Sequence, residues 1–220
     1  MRGVEPRPAA TIVVARPVEA GVEVLVLRRA SASRFAPGFV VFPGGLVEPG
    51  DPQLADRWWG APAEADRACA VRELYEETGL LLTAGGPEVR RSREPIEEVA
   101  FEPAPLDVLV EQARWVAPEI LEVRFDAAFF STAVPAGIEV RADEVEIERA
   151  WWARPEAVLL ASHVGDAPLM WPTLVTLEAL ADCASVEDVL ALRVDQIEPG
   201  REDRAARVRG AWTRPGGMRR

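Results

Sequence analysis

The segment from Glu64 to Leu80, Glu-Ala-Asp-Arg-Ala-Cys-Ala-Val-Arg-Glu-Leu-Tyr-Glu-Glu-Thr-Gly-Leu, preceded by Phe42-Pro43-Gly44-Gly45, constrains this chain more than any other. Ala68, Val71, Leu74, Tyr75 and Thr78 mark a stripe that faces a core at helical spacing. Pro62 suits the first turn, Glu64 and Asp66 suit the positive end of the helix dipole, and Gly79 supplies a stop, so a helix is expected over about 62–78. On that helix Glu73, Glu76 and Glu77, three or four residues apart, project to one side, with Asp66 two turns back. Such carboxylates either form a solvated acidic face or gather around a divalent cation, which keeps them ionised. Hard oxygen donors suit Mg²⁺ or Mn²⁺, and magnesium commonly bridges one or two carboxylates to substrate phosphates.

These residues resemble the signature of the Nudix hydrolases: a Gly, five residues, Glu, seven residues, then Arg-Glu-apolar-x-Glu-Glu-x-Gly-apolar. Glu64, followed by seven residues and Arg72-Glu73-Leu74-Tyr75-Glu76-Glu77-Thr78-Gly79-Leu80, matches the second part completely. The first part departs, because 18 residues separate Gly45 from Glu64. The surplus, about residues 51–63 with Trp58 and Trp59, is expected to bulge outward as decoration without disturbing the carboxylate spacing. The resemblance implies an α+β Nudix fold: a mixed sheet between helices, α/β/α, with extra C-terminal helices. It also implies Glu73, Glu76, Glu77 and the carbonyl of Gly45 as metal ligands, with Glu64 and Arg72 in support. Arg72 is placed to brace Glu76 across one turn.

A second pattern lies upstream. Leu25-Val26-Leu27-Arg28-Arg29-Ala30, Arg34, Gly38 and Phe42-Pro43-Gly44-Gly45 resemble the coenzyme A diphosphatase branch, related to the peroxisomal enzyme, with Val26 and Leu27 departing from it. An insertion inside the box resembles the same branch. Arginine offers a planar, permanently charged fork for phosphate oxygens, so Arg28, Arg29 and Arg34, with Gly44 and Gly45, are the candidate substrate-binding residues. Ordinary strand-end arginines are the competing reading, since the chain has no lysine and arginine fills every cationic role.

A net charge of −11 argues against nonspecific nucleic-acid binding. No apolar run is long enough to span a bilayer and the first residues lack a signal-peptide core, so a cytoplasmic enzyme without membrane partners is expected. Cys69 and Cys183 read as packing residues, and the single histidine, His163, has no companion, which leaves little room for thiol, Ser-His-Asp or His/Cys zinc chemistry.

One domain is expected over 1–197, followed by a poorly ordered tail over 198–220. Strands are expected at 10–15, 22–27, 121–130 and 145–152, a charged loop over 85–105, a short helix over 105–114, and helices at 156–161, 172–181 and 185–192. The last helices close over the sheet or build a homodimer face. Trp151, Trp152 and Trp171 are expected beneath them, while Trp58 and Trp59 are candidates to line a base or acyl-chain pocket.

Diphosphate cleavage needs a base to take a proton from water. The resemblance points to a later acidic loop holding Asp143, Glu144 and Glu146, and selects Glu144. The readings are hydrolysis of coenzyme A or acyl-CoA to 3',5'-ADP and (acyl-)4'-phosphopantetheine, hydrolysis of another nucleoside diphosphate such as ADP-ribose or NADH, or a non-catalytic nucleotide-binding regulator.

Overall fold

The computed structural model describes residues 4–33, 35–91 and 94–196, together with the backbone pairing of 213–214. Strand β1 (Arg7–Val18) is the spine. Its residues alternate between two cores: Ala10, Ile12 and Val14 face one side, Val13 and Ala15 the other. Strand β2 (Gly21–Arg29) returns antiparallel and divides in the same way, with Leu25 and Leu27 on the first side and Val22, Val24 and Val26 on the second.

The β1–β2 pairing covers only Ala15–Val18 against Gly21–Val24. Nearer the start of β1, the short β4 (Gly44–Leu46) takes the place of β2 and pairs with Ala9–Thr11. That divergence carries a glycine loop to the surface of the first core. Beyond β2 lie β3 (Val40–Val41) and β9 (Ile147–Ala153), both antiparallel to it, and β10 (Leu169–Met170) runs parallel to β3. On the other side of β1, β8 (Phe125–Ala133) runs parallel over nine residues and β7 (Val110–Val116) pairs antiparallel with β8. The sheet is therefore mixed.

Helix α1 (Asp51–Trp59), a 3₁₀ turn at Pro62–Glu64 and helix α2 (Ala65–Thr78) cover the first face. Helix α2 ends where foreseen: Gly79 adopts a φ of 73° and its N–H donates to the Tyr75 carbonyl. Helices α3 (Pro155–His163), α4 (Trp171–Leu180) and α5 (Val186–Ala191) cover the second face, α5 opening on a capping box between Ser185 and Asp188. The layers are those of an α/β/α sandwich. No helix among the described residues is long and apolar enough to cross a membrane.

Four expectations need correction. Residues 110–116 form β7, not a helix: Val110, Trp115 and Val116 suit a pleated surface, and pairing with β8 decides their conformation. The loop expected over 85–105 contains β6 (Gly86–Val89), hairpinned to β5 (Leu80–Thr83). Trp152 faces the first core, its ring under the Arg16 guanidinium at 4.5 Å and its indole N–H donated to the Ile138 carbonyl; Trp151 and Trp171 lie on the side of the C-terminal helices. The insertion is not decoration. Leu54 and Ala55 of α1 are buried in the first core, and Asp51 has no exposed surface at all. Most of the expected tail lies outside the described residues; the backbone of 213–214, which is described, pairs with β10.

Candidate active site

The divergence of β1 and β2 sets Gly44 and Gly45 against the carboxylate face of α2. The Gly44 N–H donates to Oε2 of Glu77 at 3.0 Å, and a Cβ on Gly45 would run into the Glu73 carboxylate. Gly44 also has a φ of 155° and approaches the backbone at Ala10 and Thr11 too closely for a side chain. Glu77 is almost wholly buried. Burial pushes its carboxyl well above the usual carboxylate range and the neighbouring charge of Glu73 adds to the rise; the Gly44 N–H and the Arg29 charge pull the other way. Burial likewise raises Glu73 to about 7, against the opposing pull of Arg72.

Arg72 organises this face. It is 4% exposed and its Nη1 donates to Glu73 at 2.8 Å and to Glu76 at 3.0 Å, one turn away. Its other edge forms a two-point clasp on Asp51, Nε to Oδ1 at 2.8 Å and Nη2 to Oδ2 at 3.0 Å, and Nη2 also donates to the Leu46 carbonyl. Asp51 Oδ2 accepts from the Glu48 N–H as well, which fixes the carboxylate in the loop entering α1. Burial alone would lower the pKa of Arg72, but Asp51 and Glu73 reverse that and hold it above its ordinary value.

The other candidates fall on different sides of this frame. Glu64 lies just before α2 and pairs with Arg67. Arg28 donates to the carbonyls of Gly38 and Asp166, and Arg29 donates to that of Phe35 while lying 3.8 Å from Glu146. Arg34 lies outside the described residues. In the acidic loop the Asp143 carboxylate accepts from the N–H groups of Val145, Glu146 and Ile147, which holds exposed Glu144 at a φ of 64°. The charge of Asp143 adds to the rise at Glu77, and the Arg141 N–H donates to the Thr78 carbonyl, so the chain entering this turn lies beside the end of α2.

Among the described residues, no three His, Cys, Asp or Glu side chains converge as a preassembled metal cage. Arg72 holds Glu73 and Glu76, and Gly44 holds Glu77. The donors are nonetheless the right kind for a hard divalent cation, because the buried Glu77 carboxylate and the partly buried Glu73 beside it are unfavourable as a charged pair and a cation offsets that repulsion.

The sequence model of the NUDIX domain matches residues 5–172. The chain belongs to the Nudix family. A crystal structure of a Nudix hydrolase from Alicyclobacillus acidocaldarius superposes with a TM-score of 0.71 at 29% identity, covering 87% of this chain and 98% of that one. Putative nudix hydrolase 7 of Caenorhabditis elegans is 28% identical over 188 residues, 80% of this chain and 60% of the relative. Acyl-coenzyme A diphosphatase NUDT19 of Xenopus laevis is 28% identical over 206 residues, 62% of this chain and 54% of the relative. The chain thus spans between 54 and 60% of the length of these two curated Nudix relatives.

Within the Nudix box, sequence reasoning missed Asp51. Counted back from Arg72, the acidic box position is Glu64; counted forward from Gly45, it is Asp51, after five intervening residues. The structure gives the contact with Arg72 to Asp51, so the extra residues enter after Asp51. Counting from the glycine as well as from the helix would have exposed both candidates. Cys69 is a buried packing residue whose thiol lies 3.3 Å from the Leu46 carbonyl, and burial, followed by the charges of Asp51 and Glu73, drives its pKa up.

The glycine loop yields a direct prediction. Gly45→Ala is expected to displace the Glu73 carboxylate and lower kcat roughly 10- to 100-fold, since misplacement of about 1 Å at a reacting centre carries penalties of that size. Steady-state kinetics beside far-ultraviolet circular dichroism checks it; unchanged kcat would place Glu73 outside the reacting geometry.

Proposed function

We propose that the chain is a metal-dependent diphosphatase acting on nucleoside diphosphate-linked compounds, with coenzyme A or acyl-CoA as the leading substrate and 3',5'-ADP and (acyl-)4'-phosphopantetheine as products. The observation that carries the reaction class is the Glu73–Glu77 pair set against Gly44–Gly45, with partly buried Glu73 held by Arg72 and buried Glu77 held by the Gly44 N–H. The substrate preference is supported by the arginine pattern and by two relatives named acyl-coenzyme A diphosphatase, in Xenopus laevis and in Gallus gallus, the latter 33% identical over 117 residues, 36% of this chain and 30% of that protein.

Glu73, Glu76, Glu77 and the Gly45 carbonyl would hold Mg²⁺ or Mn²⁺, which when bound neutralises diphosphate charge and acidifies water. The chain's own work is positional. Arg72 orients Glu73 and Glu76, and Arg29 brings positive charge to the Glu77 side of the site. Glu144 is the proposed base. Asp143 is occupied by three backbone N–H groups, whereas Glu144 is exposed and held in a conformation that disfavours a side chain, a form of strain concentrated at functional loops.

An ADP-ribose or NADH preference is the second reading, favoured by the way Arg28 and Arg29 donate to loop carbonyls. Incubating the protein with equal amounts of coenzyme A, acetyl-CoA, ADP-ribose and NADH, with Mg²⁺ or Mn²⁺, separates the two. Fastest release of 3',5'-ADP from the coenzyme A compounds is the expected result. Preference for the other pair would reassign the substrate, and no turnover of any would sink the enzymatic reading in favour of a binding module.

A further inference from the structure

Helix α1 does more than supply Asp51. Its last turn faces the 96–103 segment across an open cavity of about 360 Å³, lined chiefly by Arg57, Trp58, Glu97, Val99, Phe101 and Pro103. The Trp58 and Phe101 rings meet edge to face at 5.6 Å, and the Trp59 indole N–H, donated to the Ala104 carbonyl at 2.9 Å, fixes α1 against the far end of the same segment. Arg57 donates to the carbonyls of Glu97 and Ile96, so the one cation in the lining ties the two walls together. Glu97 and Glu98 add carboxylates to the lining.

This combination selects its occupant. Acidic side chains around aromatic walls repel phosphate and accept hydrogen bonds from amide N–H or hydroxyl groups, while Trp58, Val99 and Phe101 offer contact to hydrocarbon. A volume of about 360 Å³ suits one arm of a dinucleotide-sized molecule, not the whole of it. The cavity is linked to the carboxylate face through α1: Asp51 at its start clasps Arg72, the donor to Glu73 and Glu76, and Trp58 two turns later lines the cavity. From the site of the diphosphate, the path to Trp58 therefore runs along α1.

We propose that the cavity between α1 and the 96–103 segment binds the uncharged, amide-bearing arm of the diphosphate substrate, a pantetheine-like chain, with Trp58 and Phe101 as its walls and Glu97 as an acceptor. The inference rests on the diphosphatase reading only for which end of the substrate enters; binding of the arm itself requires no hydrolysis. The extra residues of the box thereby become a specificity element.

Pantetheine, which has no phosphate, and 3',5'-ADP, which has no arm, are the probes, titrated against the whole protein in cation-free buffer by isothermal calorimetry. Saturable pantetheine binding is expected, weakened about fivefold or more by Phe101→Ala and by Glu97→Gln, with 3',5'-ADP affinity unchanged in both. Both positions are at least partly exposed, and circular dichroism verifies that each variant is folded. Absence of saturable pantetheine binding, retention of full affinity in both variants, or equal loss of 3',5'-ADP binding would overturn the proposal. Pantetheine binding in a protein that hydrolyses no diphosphate would retain the cavity and discard the catalytic reading, so the two fail separately.

Discussion

Glu77→Gln is expected to lower kcat by roughly 10³-fold or more, about 4 kcal/mol of transition-state stabilisation, while leaving the cation-free protein at least as stable as the parent. Two effects separate here. Glu77 is 4% exposed, its Oε2 accepts from Gly44, and its charge is disfavoured by burial and by Glu73. Glutamine keeps the shape and an oxygen for the Gly44 N–H but removes the charge, so the fold loses a source of repulsion. The same charge is what a divalent cation would meet. Ligand binding to the native state raises Tm with concentration, so Mg²⁺ or Mn²⁺ should stabilise the parent and fail to stabilise the variant. Differential scanning calorimetry with and without each cation reads both. A variant that melts earlier without cation, or keeps the full cation shift, would show that Glu77 serves the core and not the cation.

Much of this site was legible because helical spacing is rigid. Once Ala68, Val71, Leu74 and Tyr75 fixed the buried side of α2, the carboxylates could only project elsewhere, and Gly79 had to end the helix. The same reasoning could not say that Glu77 is buried, because its burial comes from β4 taking the place of β2 beside β1, a relation between segments far apart in sequence. Strand β7 was misread for a similar reason: residues 105–114 mix charged and apolar groups compatible with either element, and the partner that decides, β8, lies beyond them. The arginines show a third limit. The upstream pattern offered Arg28 and Arg29 as phosphate ligands beside the glycine loop, yet their donors reach the carbonyls of Phe35, Gly38 and Asp166, contacts that no spacing rule encodes.

Asp51 was the least legible residue of the site, and the clasp it makes with Arg72 should carry the largest stability effect in the molecule. The ion pair is buried on both sides, Asp51 at 0% and Arg72 at 4% exposure. Removing Arg72 leaves the Asp51 carboxylate buried with only the Glu48 N–H, and removing Asp51 takes from Arg72 the two-point partner of its buried edge, a loss of about 3–5 kcal/mol. At roughly 2–4 °C per kcal/mol for a domain of this size, Arg72→Gln or Asp51→Asn should lower Tm by about 6–20 °C. The double variant Asp51→Asn with Arg72→Gln carries neither charge, and its loss should fall short of the summed single losses by about 1–3 kcal/mol, measured by denaturant unfolding of all four proteins of the cycle. Activity should behave differently. Glu73 and Glu76 lose their shared donor whether or not Asp51 is compensated, so the double variant is expected to regain stability and stay about 10- to 100-fold impaired. If kcat recovered with Tm, the network would act only through the fold; if it remained low, Arg72 is a positioning residue for Glu73 and Glu76 apart from its clasp on Asp51.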